Sequence, residues 1–298
     1  MTHRFESIDH VIDRLADARY IADRSLATVL FLADRLGKPV FLEGEPGVGK
    51  TEVAIVLAKL FRTDLIRLQC YEGLDISAAL YEWNYPKQLL EIRLQEQGKR
   101  DKEEVEKIIY SPKFLIKRPL LEAILRPENN VAVLLIDEID RSDEEFEAFL
   151  LEILSDFQVT IPEIGTLAAK TRPLVIVTSN RTRDIHDALK RRCLYHWIEY
   201  PSFEKEYQII TTRIPEIEAR FAEQITLFMQ KVRTIDFLKK PGISETLDWA
   251  QALMAMHREH LSEDAVLETM GCIFKYHEDI NKFKEEIWAD HDQRVAFL

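Results

Sequence analysis

Apolar residues gather in this chain into short unbroken runs, separated by longer stretches with helical spacing. Pro39-Val40-Phe41-Leu42-Glu43 is a run suited to a buried strand, and Glu52 to Leu60 behind it carries helix formers with apolar residues at helical intervals. Asp64 to Cys70 reads as a second strand. Val131-Ala132-Val133-Leu134-Leu135-Ile136 has no polar interruption, the pattern of a strand covered on both faces in a parallel sheet. Pro173 to Thr178 is a third apolar strand, ending in Ser179-Asn180. Residues 7–36 read as helical, with Ile8, Val11, Ile12, Leu15, Tyr20 and Ile21 in phase, closing at Gly37-Lys38-Pro39. Residues 86–127 are charge-rich and longer than a plain crossover requires, so they read as an insertion, mostly helical, whose charge run is either a solvated helix face or a surface that grips a partner. Residues 157–169 read as a β-hairpin with Gly165 at the bend. From Pro201 the chain changes to helix after helix: Phe203–Ile214, Glu216–Arg233, Ser244–His260 and Ser262–Trp288. Pro201-Ser202 and Lys239-Lys240-Pro241-Gly242 are the breaks. This pattern predicts an α/β core with a parallel sheet flanked by helices over residues 1–200, then a small all-α lid over 201–298.

Composition narrows the class. The 298 residues are 46% hydrophobic and 31% charged, values of a compact globular protein. No apolar run approaches the ~20 residues that span a bilayer, so no transmembrane segment is expected. Met1-Thr2-His3-Arg4-Phe5-Glu6 has no apolar signal core, which predicts no export signal. Cys70, Cys193 and Cys272 are odd in number, far apart and outside any C-x-x-C, which predicts reduced thiols in the cytoplasm rather than a disulfide frame or zinc site. His257 and His260 share one helix and read as packing residues. The net charge is −12 and the isoelectric point about 5.3. A chain gripping nucleic acid presents a basic face, and here the tight basic spots beyond Lys190-Arg191-Arg192 are short and scattered, Lys99-Arg100 and Lys239-Lys240 among them. No nucleic-acid partner is expected.

The chemistry is concentrated in three places. Gly44, Glu45, Pro46, Gly47, Val48, Gly49, Lys50 and Thr51 fit G-x-x-x-x-G-K-[ST] between a strand and a helix. Loop amides and the helix N-terminus point N–H groups at phosphate oxygens, and the glycines permit the close approach. Lys50 is placed for the β- and γ-phosphates of ATP, and the Thr51 hydroxyl for Mg²⁺. The apolar run ending in Asp137-Glu138 puts two carboxylates at a strand's C-terminal end, where open α/β sheets bind ligands. Alternation along a strand points them to opposite faces, so Asp137 suits the Mg²⁺ shell and Glu138 suits activation of the attacking water. The competing reading is that both acids cap the following helix. Asn180 at the tip of the third strand can orient that water, although Ser-Asn is also ordinary turn chemistry. Arg191 and Arg192 close a helix with Lys190, either as charges suited to the helix dipole or as an arginine finger for a neighbouring subunit's ATP.

These motifs, in this order, resemble an AAA+ ATPase module over roughly residues 25–200. Within AAA+ the chain resembles the MoxR family. Arg67-Leu68-Gln69-Cys70-Tyr71-Glu72-Gly73-Leu74-Asp75 and Tyr81-Glu82-Trp83-Asn84-Tyr85 are most similar to its CoxD-type members, which are associated with maturation of carbon monoxide dehydrogenase and related molybdenum hydroxylases. The resemblance implies a homo-oligomeric ring, most simply a hexamer, completed in trans by Arg192 or, one residue earlier, Arg191. It also implies a von Willebrand factor A-domain partner, a client metalloenzyme, and a hairpin placed before the sensor strand. The chain departs from the family in the lid: Thr246 stands where many MoxR proteins carry an arginine that touches the γ-phosphate, leaving Arg233 or Lys240 as substitutes. Two other functions fit the same motifs, a nucleic-acid-remodelling AAA+ motor and a nucleotide-gated binding protein with negligible turnover. A phosphate-loop kinase fits poorly, because Asp-Glu and Asn180 suit water rather than an acceptor hydroxyl.

Overall fold

The computed structural model describes residues 4–96, 102–127 and 132–290, with Asp292, Arg294 and Phe297. Two helices come first, α1 (Ile8–Asp17) and α2 (Arg24–Leu36). The single helical stretch expected over 7–36 is interrupted because α1 ends with the Tyr20 amide donating to the Leu15 carbonyl (2.9 Å) around Arg19 at φ 60°. The chain then alternates through β1 (Val40–Gly44), α3 (Lys50–Phe61), β2 (Leu65–Gln69), α4 (Ile76–Ala79), β3 (Tyr81–Trp83), α5 (Tyr85–Glu96), α6 (Lys102–Ile109), β4 (Leu115–Lys117), α7 (Pro119–Ile124) and β5 (Val133–Asp137). It continues with α8 (Glu144–Asp156), β6 (Gln158–Ile161), β7 (Gly165–Ala168), β8 (Leu174–Ser179), α9 (Asp187–Arg192) and β9 (Leu194–Ile198). The remainder is helical: α10 (Phe203–Arg213), α11 (Ala219–Thr234), α12 (Ile243–Ala255), α13 (Glu263–Ile273) and α14 (His277–Lys282), followed by a π-helical turn over Phe283–Trp288.

Five strands form one sheet in the order β2-β5-β8-β1-β9, and β2, β5, β8 and β1 pair in parallel. Every residue of β1, β5 and β8 is buried, which explains runs with no alternation. Register brings their C-terminal ends level. Gln69 sits opposite Asp137, and Glu43 opposite Ser179. The insertion holds more than helices, since β4 pairs antiparallel with β3. Three residues are too short a run for alternation to show. β6 and β7 make the expected hairpin, with Ile161 paired to Gly165 and Val159 and Ile161 turned to the core. Val131 and Lys99-Arg100 lie outside the described residues.

Two compact units are formed, each with its own hydrophobic core. The first comprises Met1–Val11, Arg24–Glu43 and Thr51–His196, with a core that includes Phe41, Leu134, Ile136, Phe146 and Val177. The second comprises Ile12–Asp23, Gly44–Lys50 and Trp197–Leu298. Its core is aromatic: Trp249 packs 4.8 Å from Phe228 and donates its indole N–H to Thr269 Oγ1 at 2.7 Å. The helix expected over 262–288 breaks at Phe274, whose extended backbone (ψ 138°) sets its ring against Phe237 and Phe283.

Candidate functional site

The phosphate-loop residues Gly44–Lys50 belong to the second unit, and their packing within it is close. Gly47 has φ +81°, and a Cβ there would lie 2.9 Å from Glu245 Oε2 and 3.2 Å from Gly242 Cα. In return, a Cβ on Gly242 would meet the Gly47 backbone at 2.6 Å. The Ile243 and Ser244 amides, at the start of α12, donate to the Gly47 carbonyl at 3.0 and 3.4 Å. Glu245 returns its carboxylate to the Gly242 amide at 2.9 Å. Lys50 opens α3 with its amine donating to the Gly44 and Glu45 carbonyls, each at 2.7 Å. Within the loop Glu45 is exposed, Pro46 and Gly49 are half-buried and Val48 is buried.

Thr246 is fully buried and does not reach out as a sensor arginine would. Its hydroxyl donates to Glu206 Oε1 at 2.6 Å and accepts from Arg233 at 2.9 Å. Arg233 is committed to the same buried cluster, bonding both oxygens of Glu206 and the Pro241 carbonyl. A buried ion pair of this kind is sustained by such additional hydrogen bonds.

The remaining candidate residues lie in the first unit. The Thr51 hydroxyl donates to Asp137 Oδ1 at 3.1 Å, an oxygen that also accepts from the buried Thr178 hydroxyl at 2.6 Å. Arg67 bonds Asp137 Oδ2. Glu138 does not continue the strand alternation, because β5 ends at Asp137 and Glu138 turns left-handed (φ 56°, ψ 53°). Such a conformation is costly for a side-chain-bearing residue and persists only where its surroundings hold it. Here the Thr178 hydroxyl accepts from the Glu138 amide at 2.9 Å, and Gln69, Arg141 and Asn180 bond its carboxylate at 3.0, 3.2 and 3.3 Å. Neither acid caps the following helix, since Asp143 fills that position by accepting from the Phe146 amide.

Asn180 is fixed through its own amide, which donates to Asp140 Oδ1 at 3.1 Å. Burial alone would raise the Asp140 carboxyl, but hydrogen bonds from Thr182 and then the Asn180 amide outweigh it and hold the group below the usual carboxylate range. Its share of stability is present above the ordinary carboxylate pKa and is lost as pH falls through the lowered one. Cys70, whose amide bonds the Asp137 carbonyl, is pushed up to about 12 by burial and then by Asp137, Asp140 and Glu138. Its thiol therefore stays neutral. All three cysteines are free. Arg191 and Arg192 are exposed at the end of α9, where Arg192 Nε donates to Ser155 Oγ.

Thr178 was not legible as a site residue, because a threonine inside an apolar strand carries no motif. Its hydroxyl nevertheless serves both acids. Thr178→Val keeps the shape while removing both bonds, and should cost about 1–3 kcal/mol of unfolding free energy for the buried groups left unpaired. Chemical denaturation checks this, and a variant as stable as the parent would contradict the network.

Residues 39–193, which run from the start of β1 to just past α9, match the family model of the AAA domain, dynein-related subfamily. The chain belongs to this AAA family. The match covers more than half of the chain and includes the phosphate loop, Asp137-Glu138, Asn180 and Arg191-Arg192. The chain is also similar to solved structures. Thermotoga maritima RuvB, a Holliday junction branch migration motor, is 20% identical over 96% of this chain and 78% of its own, with a TM-score of 0.48. A candidate ATPase of Cytophaga hutchinsonii is 16% identical over 97% and 92%, again with a TM-score of 0.48. These likenesses are too distant to carry a functional argument. No curated protein matches the chain in sequence.

The AAA domain has donors suited to a hard cation. Thr51 and Asp137 supply a hydroxyl and a carboxylate 3.1 Å apart, the oxygen set that Mg²⁺ takes together with waters and nucleotide phosphates. Among the described residues no three His, Cys, Asp or Glu side chains form a metal cage, and a cation shared with phosphates requires none. No helix among the described residues is long and apolar enough to cross a membrane.

Proposed function

We propose that this AAA protein hydrolyses ATP in a homo-oligomeric, most simply hexameric, ring and uses the cycle to remodel a metalloenzyme during maturation of its metal centre, as a MoxR-type chaperone. The observation carrying the ATPase part is the meeting of Glu138 and Asn180, a carboxylate and an amide 3.3 Å apart beside Asp137 and Thr51. In this reading Glu138 takes the proton of the attacking water and Asn180 orients it. Gly44 to Gly49 cradle the phosphates with their amides, and Lys50 neutralises β- and γ-phosphate charge. Thr51 and Asp137 hold Mg²⁺, which when bound offsets charge on the phosphate oxygens. Arg192, with Arg191 beside it, stabilises the transition state in the neighbouring subunit.

The client side rests on the resemblance of residues 67–75 and 81–85 to CoxD-type members. It leads to a molybdenum-hydroxylase-type client, a von Willebrand factor A-domain partner and a cytoplasmic setting. The charged insertion and the β6–β7 hairpin are the surfaces offered to that client. The test is co-purification in ATP with Glu138→Gln, which should hold the loaded ring. Recovery of a molybdenum hydroxylase with an A-domain protein, released on return of hydrolysis, is the expected result. Recovery of neither, alongside salt-sensitive binding to DNA or RNA, would replace this reading with a nucleic-acid motor.

A second reading has one observation in its favour. Thr246 is buried and Arg233 is committed to Glu206, so Arg233 does not substitute for a lid arginine and Lys240 is left as the substitute named from the sequence. That favours a nucleotide-gated binding protein with negligible turnover. Steady-state ATP turnover, measured with and without the A-domain partner, separates the two.

A further inference from the structure

Glu43 is a charge in a place where charge is expensive. It occupies β1, is 4% exposed, and immediately precedes the phosphate loop in the chain. One carboxylate oxygen, Oε2, accepts from the Tyr195 hydroxyl at 2.8 Å. The other, Oε1, is buried without a hydrogen bond and faces the Lys190 amine at 3.8 Å. Lys190 also lies over the Phe41 ring at 5.8 Å, and Tyr195 stacks on the same ring at 6.1 Å. Strand β1, the α9 end and the start of β9 thus meet around one carboxylate.

A buried carboxylate is retained at least cost when a cation answers it. The cation here is the residue before Arg191 and Arg192. Helix α9 has only six residues, so its last turn has little stability of its own and is placed by tertiary contacts. Those contacts include the buried Leu189, the Arg192–Ser155 bond, the Lys190–Phe41 contact and the Lys190–Glu43 pair. Burial, then the bond to Glu43, pushes the Tyr195 hydroxyl up to about 12, so the tyrosine remains a neutral donor, and the cation facing Glu43 is Lys190.

We infer that Glu43 is a positioning residue which, through Lys190, sets how the Arg191–Arg192 end of α9 is presented to the neighbouring subunit. The inference rests on the proposed trans finger. Each subunit would then adjust its neighbour's catalysis from the strand that leads into its own phosphate loop.

The test uses the full chain. Glu43→Gln keeps an acceptor for Tyr195 and removes the charge facing Lys190, while Lys190→Met removes the cation and Lys190→Arg restores it. Glu43→Gln and Lys190→Met should each lower kcat about tenfold, the scale of a coupling residue, with affinity for a fluorescent ATP analogue unchanged. Lys190→Arg should stay near the parent. Mixing either impaired variant with Lys50→Ala, which has intact fingers but no working loop, should recover turnover per intact loop. Loss of ATP affinity, unchanged kcat in both variants, or no recovery on mixing overturns the inference. A control mixture pairs Lys50→Ala with a variant carrying both Arg191→Ala and Arg192→Ala. If the control recovers activity and Glu43→Gln does not, only the Glu43 role falls. If the control also fails, the trans finger falls and takes the Glu43 role with it.

Discussion

Glu138→Gln is expected to bind ATP and fail to turn it over. The amide preserves the shape that Gln69, Arg141 and Asn180 surround, but it cannot accept a proton from water. The loss should reach about 10²–10⁴-fold in kcat, the range for removing a positioned base. Lys50→Ala is expected to fail one step earlier. Its amine now bonds the Gly44 and Glu45 carbonyls, so alanine removes both the cation owed to the phosphates and a brace of the loop. Loss of charge-assisted bonds on this scale should weaken binding about a hundredfold or more. A fluorescent ATP analogue reads affinity and phosphate release reads turnover. Hydrolysis at the parent's rate in Glu138→Gln would remove Glu138 from its assigned role.

The second large effect is at the end of α9. Arg192→Ala should leave each subunit's ATP affinity nearly intact and lower turnover about 10³-fold or more, the scale of a lost arginine finger. Mixing it with Lys50→Ala should restore activity from two inactive parents, because a mixed interface joins an intact loop to an intact finger. The hydrogen bond from Arg192 to Ser155 leaves Arg191 as the competing finger. If Arg192→Ala hydrolyses normally and Arg191→Ala does not, the finger is Arg191. If both hydrolyse normally, catalysis does not cross an interface and the ring mechanism is wrong.

Much of the α/β core could be read from the chain because its strands are buried on both faces. β1, β5 and β8 are built on apolar runs, and in sequence the phosphate loop follows the first and Asp137-Glu138 closes the second. What escaped reading depends on neighbours distant in sequence. Thr178, Gln69 and Arg67 reach the two acids only because strand register makes them adjacent. The left-handed backbone at Glu138 is held by Thr178 and Gln69 among its partners, and alternation along the strand does not predict it. Gly242 looked like a simple break between helices, whereas its lack of a side chain lets it lie against Gly47. The interruptions at Arg19 and Phe274 likewise follow from a helix-end hydrogen bond and from aromatic packing rather than from proline or glycine.

The contact between Gly47 and Gly242 bears on how the chain can be divided. A polypeptide shortened to end near residue 200 would retain every letter of the phosphate-loop motif. It would nevertheless lose the Ile243 and Ser244 amides that hold the Gly47 carbonyl, and the glycine against which the loop packs. The motif is continuous in sequence, but part of what holds its shape comes from residues almost two hundred positions downstream. In genetic terms the smallest heritable piece that carries the folded loop includes the start of α12, so neither half of the gene would encode it alone.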